Sequence, residues 1–336
     1  MRAQVVGVSC IASMVFCLGA LGDTLDGVNQ IVAFGDSLTD NGNASIATLG
    51  ADPGAGYAYR TVPGIPFQVG EDTNPPAPGG PSGLWIDQFA AAAGLPDPEP
   101  YLAGGTNFAV ASAQTGSNGL DGISDQLGYY LSGRTTVPST TLFAFWAGAN
   151  DLRAGNNPVQ AANNLEANIA SLAGAGGKYF LWFNLPLLGD TPEGTASGSA
   201  AALNAATLAF DTQWASDIQS LDAQYPGIDL VGVNVNSLIQ QILSTPGNDG
   251  FNLTTPGIDV PGANPNNYLF WDGLHPTSAA DALIANLALT DFDASLSTPT
   301  SGVPEPTSLP LALFGLCLVA VSAYRIKPAV RAHHKH

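Results

Sequence analysis

One serine in this chain is delivered by an apolar run into a polar turn. Ile31-Val32-Ala33-Phe34 breaks at Gly35 and continues as Asp36-Ser37-Leu38-Thr39-Asp40-Asn41-Gly42-Asn43, a stretch rich in turn formers. A buried strand hands a side chain to a loop at the edge of a sheet in this way. A serine hydroxyl is a weak nucleophile until a base takes its proton, and a neutral imidazole serves as that base when its other nitrogen is held. Between residues 23 and 297 there is a single histidine, His275, and Asp272 precedes it by three positions with Gly273 in between. A tight turn at Gly273 brings the carboxylate back to the ring. Ser37, Asp272 and His275 can therefore act as nucleophile, orienting acid and base.

Attack on a carbonyl also needs donors for the oxyanion that forms, each typically worth about a hundred- to a thousand-fold in rate. Three candidates stand directly after apolar runs: the backbone N–H of Ser37, the N–H at Ser112 after Asn107-Phe108-Ala109-Val110-Ala111, and the side-chain amide of Asn150 after Gly148-Ala149. Each residue also has an ordinary structural reading. Asn150-Asp151 fits a helix cap, Asp272 a turn, and His275 a surface position before Pro276. The coincidence of all of them at strand ends is what favours chemistry.

The elements that must position these groups alternate along the chain. Apolar runs predict strands at Ile31–Phe34, Asn107–Ala111, Thr141–Ala147, Tyr179–Leu185 and Ile228–Val235, with Leu269–His275 leading into a last helix. Helical spacing predicts helices at Trp85–Ala93, Ile123–Leu131, Pro158–Ala173, Ala200–Gln224, Leu238–Leu243 and about Thr277–Leu289. Trp85, Ile86, Phe89 and Ala90 read as core, and on the long helix Leu203, Leu208, Phe210, Trp214, Ile218 and Leu221 form the apolar side. Alternation with near-continuous apolar strands implies a parallel sheet covered on both faces, whose sites lie beyond the carboxyl ends of the strands. Two irregular stretches, Thr48–Pro81 and Gly250–Asn267, are rich in Gly, Pro and Asn and read as surface loops near those ends.

Composition removes several alternatives. Nine Lys and Arg stand against 27 Asp and Glu, a formal charge of -18, and only Arg60, Arg134, Arg153 and Lys178 fall between the terminal segments. Such a surface repels phosphate backbones, which excludes nucleic acid as a partner. Cys10, Cys17 and Cys317 all lie in terminal apolar runs. That leaves no thiol for a disulfide framework, a thiolate metal site or a cysteine nucleophile in the domain. Neither a metal nor an organic cofactor is expected.

Four blocks carry a resemblance: Phe34-Gly35-Asp36-Ser37-Leu38-Thr39-Asp40-Asn41-Gly42-Asn43, Thr106-Asn107-Phe108-Ala109, Gly148-Ala149-Asn150-Asp151 and Phe270-Trp271-Asp272-Gly273-Leu274-His275-Pro276-Thr277. In this order they resemble the GDSL (SGNH) lipase/esterase family, most closely the branch with plant GDSL lipases and thermolabile-haemolysin-type acyl hydrolases. The resemblance runs from about Gln30 to Leu289. It implies a three-layer α/β/α sandwich with a mainly parallel, flavodoxin-like sheet. It further implies Ser37 as nucleophile, Asp272 and His275 as its partners, Asn150 as oxyanion donor, and cleavage of carboxylic esters through an acyl-enzyme. The ester would be a lipid or an acylated polysaccharide. One position departs: where the family has glycine as the second oxyanion donor, this chain has Ser112. A backbone N–H can come from serine, but a positive φ there would cost of order 1 kcal/mol. That departure also supports an alternative, a weakly active or inactive cell-surface, exopolysaccharide-associated binding protein on the same fold.

The termini suggest export. Residues 1–22 resemble a secretory signal peptide, with one early Arg, an apolar run and small residues near Ala20. The hydrolase domain is then expected over 23–297, followed by a linker at 298–308 containing Val303-Pro304-Glu305-Pro306, an apolar segment at 309–324 and a basic tail at 325–336. About sixteen apolar residues are close to the lower limit for a membrane span. This end resembles the PEP-CTERM sorting signal of Gram-negative bacteria. By that resemblance an exosortase is a partner, membrane association through the helix is transient, and the mature protein sits outside the cell or on its surface.

Overall fold

The computed structural model describes residues 25, 27–48, 83–117, 121–245, 250–251 and 264–297. The expected signal peptide, most of both surface loops, the linker, the sorting segment and the basic tail lie outside the described residues. Among the described residues no helix is long and apolar enough to cross a membrane.

Four strands, β1 (Gln30–Gly35), β2 (Thr141–Trp146), β3 (Tyr179–Phe183) and β4 (Asp229–Val233), form a parallel sheet in the order β1-β2-β3-β4. Their register pairs Phe34 with Phe145, Phe143 with Phe180 and Leu181 with Val231. β2 and β3 are buried along their whole length. Strands covered on both faces can be apolar at every position, which is why these runs do not alternate with polar residues.

Side-chain parity assigns the two covering layers. Phe34, Phe143, Phe145 and Phe180 share one face: Phe34 stacks on Phe145 at 4.9 Å and Phe143 on Phe180 at 5.5 Å. Against that face lie α3 (Ile123–Leu131), through Tyr130 on Phe34 and Phe143, and α7 (Ala200–Gln224), through Trp214 on Trp182. Helix α5 (Pro158–Gly174) packs against both. On the opposite face, Trp85 of α2 (Trp85–Ala92) meets Trp146 and Phe183, and Phe292 of α9 (Ser278–Ser297) meets Tyr179. The result is a three-layer α/β/α arrangement. Shorter helices α1 (Asn43–Ala47), α4 (Ala149–Arg153), α6 (Pro192–Ala196) and α8 (Val235–Ser244) occupy the connections.

Three sequence expectations change. Residues 107–111 make only isolated parallel bridges, Asn107 to Ala33 on one side and to Pro100 on the other, rather than a strand. The segment does run along the free edge of β1, with Phe108 N donating to Ala33 O at 2.8 Å and Val110 N to Gly35 O at 3.2 Å. This puts the second chain segment outside the first, as in the flavodoxin-like order. On the side away from β1, the Ala109 N–H donates to the Asn107 side chain at 3.0 Å, so among the described residues no further chain pairs along that edge there. On α7, Leu208 is 53% exposed and Thr207 takes its place in the buried stripe. Neighbouring helical positions lie ~100° apart, so only one of the two can face inward. The threonine is tolerated because its hydroxyl donates to Leu203 O at 2.9 Å. Finally, α8 begins three residues earlier than expected, at Val235, and α9 runs on to Ser297.

Candidate active site

β1 ends at Gly35 because two things prevent it from continuing. The Gln126 side chain of α3 takes both backbone groups of Gly35, accepting its N–H at 3.0 Å and donating to its carbonyl at 2.8 Å. A Cβ on Gly35 would also lie 2.9 Å from Trp146 O, so only glycine fits against β2. The chain then winds into a tight turn, with Thr39 N and Asp40 N both donating to Asp36 O. Ser37 sits in that turn beyond the carboxyl end of β1.

The remaining polar residues of the block build the turn. The buried Asp40 carboxylate accepts four N–H groups, from Gly42, Asn43, Ala44 and Ala111. Burial pushes its carboxyl upward and these donors counter the shift. Asn43 donates to the carbonyls of Asn107 and Ala109, and Asn41 to Asp87 and Pro98 O. The serine turn is thus fastened to the segment that carries Ser112.

His275 arrives from the other end of the chain. Its loop is closed by Trp271 N donating to His275 O at 2.8 Å, by the Phe270–Pro276 bridge, and by the Thr277 hydroxyl on Tyr268 O at 2.7 Å. Inside the loop Asp272 Oδ1 accepts from Leu274 N at 2.8 Å and His275 N at 2.7 Å, while Oδ2 lies 2.7 Å from His275 Nδ1. A carboxylate only accepts, so Nδ1 carries the proton and Nε2 presents its lone pair. Ser37 Oγ is 2.8 Å from that Nε2. Burial pushes the imidazole down to about 3, below the usual value of about 6.5. The ring is neutral at pH 7 and free to take a proton from the hydroxyl.

Asn150 lies in the first turn of α4. Gly148 before it has φ 122°, and a Cβ there would strike the Phe210 ring at 2.7 Å. The Asn150 amide donates to Ala113 O at 3.1 Å and to Asp36 Oδ2 at 3.4 Å, which sets its nitrogen toward the serine turn. Asp151 points the other way and accepts from Thr115 N at 2.9 Å and Oγ1 at 3.0 Å. Ser112 is, among the described residues, the one non-glycine with positive φ, at 66°. Asp36 itself is pushed up to about 7 by burial, against its hydrogen bond from Leu38 N. Beside Ser37 and Asn150 opens a pocket with apolar walls, including Trp146, Pro186, Leu188, Ile239, Phe270 and Ile284.

The order of blocks now has a tertiary counterpart, and the GDSL-like Lipase/Acylhydrolase family model matches residues 31–288. The chain belongs to this family. Thermolabile hemolysin of Vibrio parahaemolyticus is 25% identical to this GDSL-like chain over 292 residues, covering 79% of it and 64% of the hemolysin. An Arabidopsis thaliana GDSL esterase/lipase is 24% identical over 322 residues, covering 79% and 89%. A Pseudomonas putida protein described as uncharacterized, in the trpE-trpG intergenic region, is 26% identical over 298 residues, and the chain spans 48% of its length. Against the solved structure of the M. smegmatis aryl esterase the TM-score is 0.43 at 15% identity, covering 80% of this chain and 99% of that one.

In this GDSL-like chain all five sequence-derived positions lie around the serine turn. Ser37, Asp272 and His275 are joined by hydrogen bonds, Asn150 reaches Asp36 and Ala113, and Ser112 directly precedes Ala113. Sequence reasoning missed Gln126, Arg153 and Asp211. Asp211 accepts from Leu185 N at 3.1 Å and Asn236 Nδ2 at 2.9 Å, tying the Pro186–Leu188 wall of the pocket to α8. Burial pushes it up to about 6. An amphipathic helix carrying Asp211, Asp217 and Asp222 gives no sign that the first has this role.

Proposed function

We propose that the chain hydrolyses carboxylic esters through an acyl-enzyme formed on Ser37. The observation that carries the reading is the continuous pair of bonds from Ser37 Oγ to His275 Nε2, 2.8 Å, and from His275 Nδ1 to Asp272 Oδ2, 2.7 Å. His275 takes the hydroxyl proton as Oγ attacks the ester carbonyl, and Asp272 holds the ring in the required tautomer. The negative charge on the former carbonyl oxygen is met by the N–H groups of Ser37 and Ser112 and by the Asn150 amide. His275 then gives its proton to the departing alcohol, and a water, deprotonated by the same ring, releases the acid. No cofactor enters these steps. The apolar walls beside Ser37 favour an acyl group with a hydrocarbon chain, as in a lipid or an acylated polysaccharide. The full chain should turn over p-nitrophenyl esters, and Ser37→Ala should lower kcat by at least about ten-thousand-fold. Equal rates for the two proteins would refute the reading.

On sequence pattern alone we also propose that residues 1–22 direct export and that Val303–Pro306 with the 309–324 segment forms a sorting signal read by an exosortase. Deleting 301–336 should then change the final location of the protein in its native cell. An unchanged location would remove the sorting role.

A further inference from the structure

Four basic residues lie between the terminal segments, and one of them, Arg153, stands over the site. It closes α4, three positions after Asn150, and its Nη1 donates to Asn150 Oδ1 at 3.2 Å. The rest of its guanidinium is held by Glu193 of α6, through Nε to Oε1 at 3.0 Å and Nη2 to Oε1 and Oε2 at 2.7 and 3.1 Å. Glu193 is fixed in turn. Thr191 caps α6 by accepting from Gly194 N, Pro192 presets its first turn, and Glu193 N donates to Gly273 O at 2.7 Å. That carbonyl belongs to the turn between Asp272 and His275. A Cβ on Gly273 would lie 3.2 Å from Glu193 Cβ, so the two segments meet closely.

An asparagine amide has two ends of nearly the same shape and opposite hydrogen-bonding character. A guanidinium has donors only, so the end of Asn150 that faces Arg153 must be the oxygen. The other end, the N–H2, is then turned toward Ala113 O, Asp36 and the serine turn. A flipped amide would aim a lone pair where a donor is needed for the oxyanion. We infer that Arg153, clamped by Glu193, is a positioning residue: it fixes the Asn150 amide with its donor end toward Ser37 and ties that donor to the Asp272–His275 turn. The inference rests on the proposed ester hydrolysis.

An exposed ion pair on its own contributes little to stability, and Arg153 and Glu193 side chains are 36% and 46% exposed. The role therefore predicts a defect in rate and not in folding. In the full-length protein, with p-nitrophenyl butyrate, Arg153→Ala should lower kcat about ten- to a hundred-fold, with KM within about two-fold and an unchanged melting temperature. Glu193→Gln should give a smaller loss of the same kind, and Arg153→Lys should recover part of it by returning one donor to Asn150 Oδ1. The decisive variant is Asn150→Ala with Arg153→Ala, which should be no slower than Asn150→Ala alone, because the arginine then has nothing to orient. A wild-type kcat in Arg153→Ala, or losses that multiply in the double variant, would overturn the inference. If Ser37→Ala retains full activity, the ester-hydrolysis reading has failed instead.

Discussion

The Ser37 hydroxyl lies 2.8 Å from His275 Nε2 across 238 positions of sequence. Two separately closed turns make that contact. One is held by Asp36, Asp40 and Gln126, the other by Asp272 and Thr277. Each turn is fastened by its own hydrogen bonds, which fixes the pair from both sides.

Asp272 accepts two backbone N–H groups as well as the ring, so it shapes the turn and selects the tautomer together. Asp272→Asn should leave a folded protein with kcat lower by about ten-thousand-fold, because an amide cannot reliably hold the Nδ1–H tautomer. Single-turnover rates with p-nitrophenyl butyrate, beside circular dichroism, test this. A loss below tenfold would remove Asp272 from the mechanism.

The acting form of His275 is the neutral ring, present above its pKa, and burial pushes that pKa down to about 3. The rise of kcat/KM with pH should therefore be complete by about pH 5 instead of spanning the ordinary imidazole range near 6.5. A profile of kcat/KM between pH 4.5 and 8 decides it. A midpoint at 6.5 or above would mean that the Asp272 carboxylate outweighs burial.

Ser112 adopts φ 66°, where a side chain costs of order 1 kcal/mol and glycine costs nothing. Only its backbone N–H is required of it as an oxyanion donor. Ser112→Gly should raise stability by up to about 1 kcal/mol in urea unfolding and leave kcat within about three-fold. Ser112→Val, with a branched Cβ, should lose both. A large drop in kcat for the glycine variant would show that the hydroxyl itself takes part.

The apolar walls next to Ser37 should be read out as chain-length preference. The butyrate p-nitrophenyl ester should exceed the acetate in kcat/KM by about tenfold, since its two extra methylenes, buried at roughly 0.8 kcal/mol each, add about 1.6 kcal/mol. Ile239→Trp, which places a large ring at the α8 wall, should return the preference to acetate. A wild-type preference for acetate would argue against a hydrocarbon acyl group.

Burial pushes the carboxyl of Asp281 well above its usual value, nearby Asp87 adds to the shift, and an N–H at Trp85 opposes it. A carboxyl whose folded pKa is raised binds its proton more tightly in the native state. Stability is then lost as pH rises from the unfolded value of about 3.8 upward. Asp36 and Asp211, raised to about 7 and about 6, act with the same sign. Thermal melts should show the domain more stable at pH 5 than at pH 8. Asp281→Asn should raise the melting temperature at pH 8 by about 2 °C or more and change it less at pH 5. An equal effect at both values would mean that the charge is not the cause.

Legibility in the sequence followed the range of the interaction. Helices α3 and α7 were readable to the residue because their periodicity and ends are local signals, and the buried strands because a two-faced cover leaves no polar position. Leu208 was misread because an apolar residue next to a buried stripe looks like part of it, and which neighbour turns inward is set by what packs there. The segment at 107–111 does lie along β1 as an apolar run suggests, but its pairing is confined to isolated bridges, an extent that composition does not show.

The sequence by itself determined the family and the parallel α/β architecture and singled out five polar positions after apolar runs, of which Ser37 and Asn150 do follow strands, because strand exits and turns are written in short runs of residue types. Only the tertiary structure decided how those positions meet. Gln126 ends β1, Arg153 orients Asn150, Glu193 joins that amide to the Asp272–His275 turn, and Asp211 holds a pocket wall. Except for Arg153, which reaches Asn150 within α4 but is clamped by Glu193 forty positions on, these act across tens of residues, through the few donors and acceptors left over once the local turns are satisfied. Such a bond depends on which surfaces the sheet brings within 3 Å or so, and no local pattern encodes that distance.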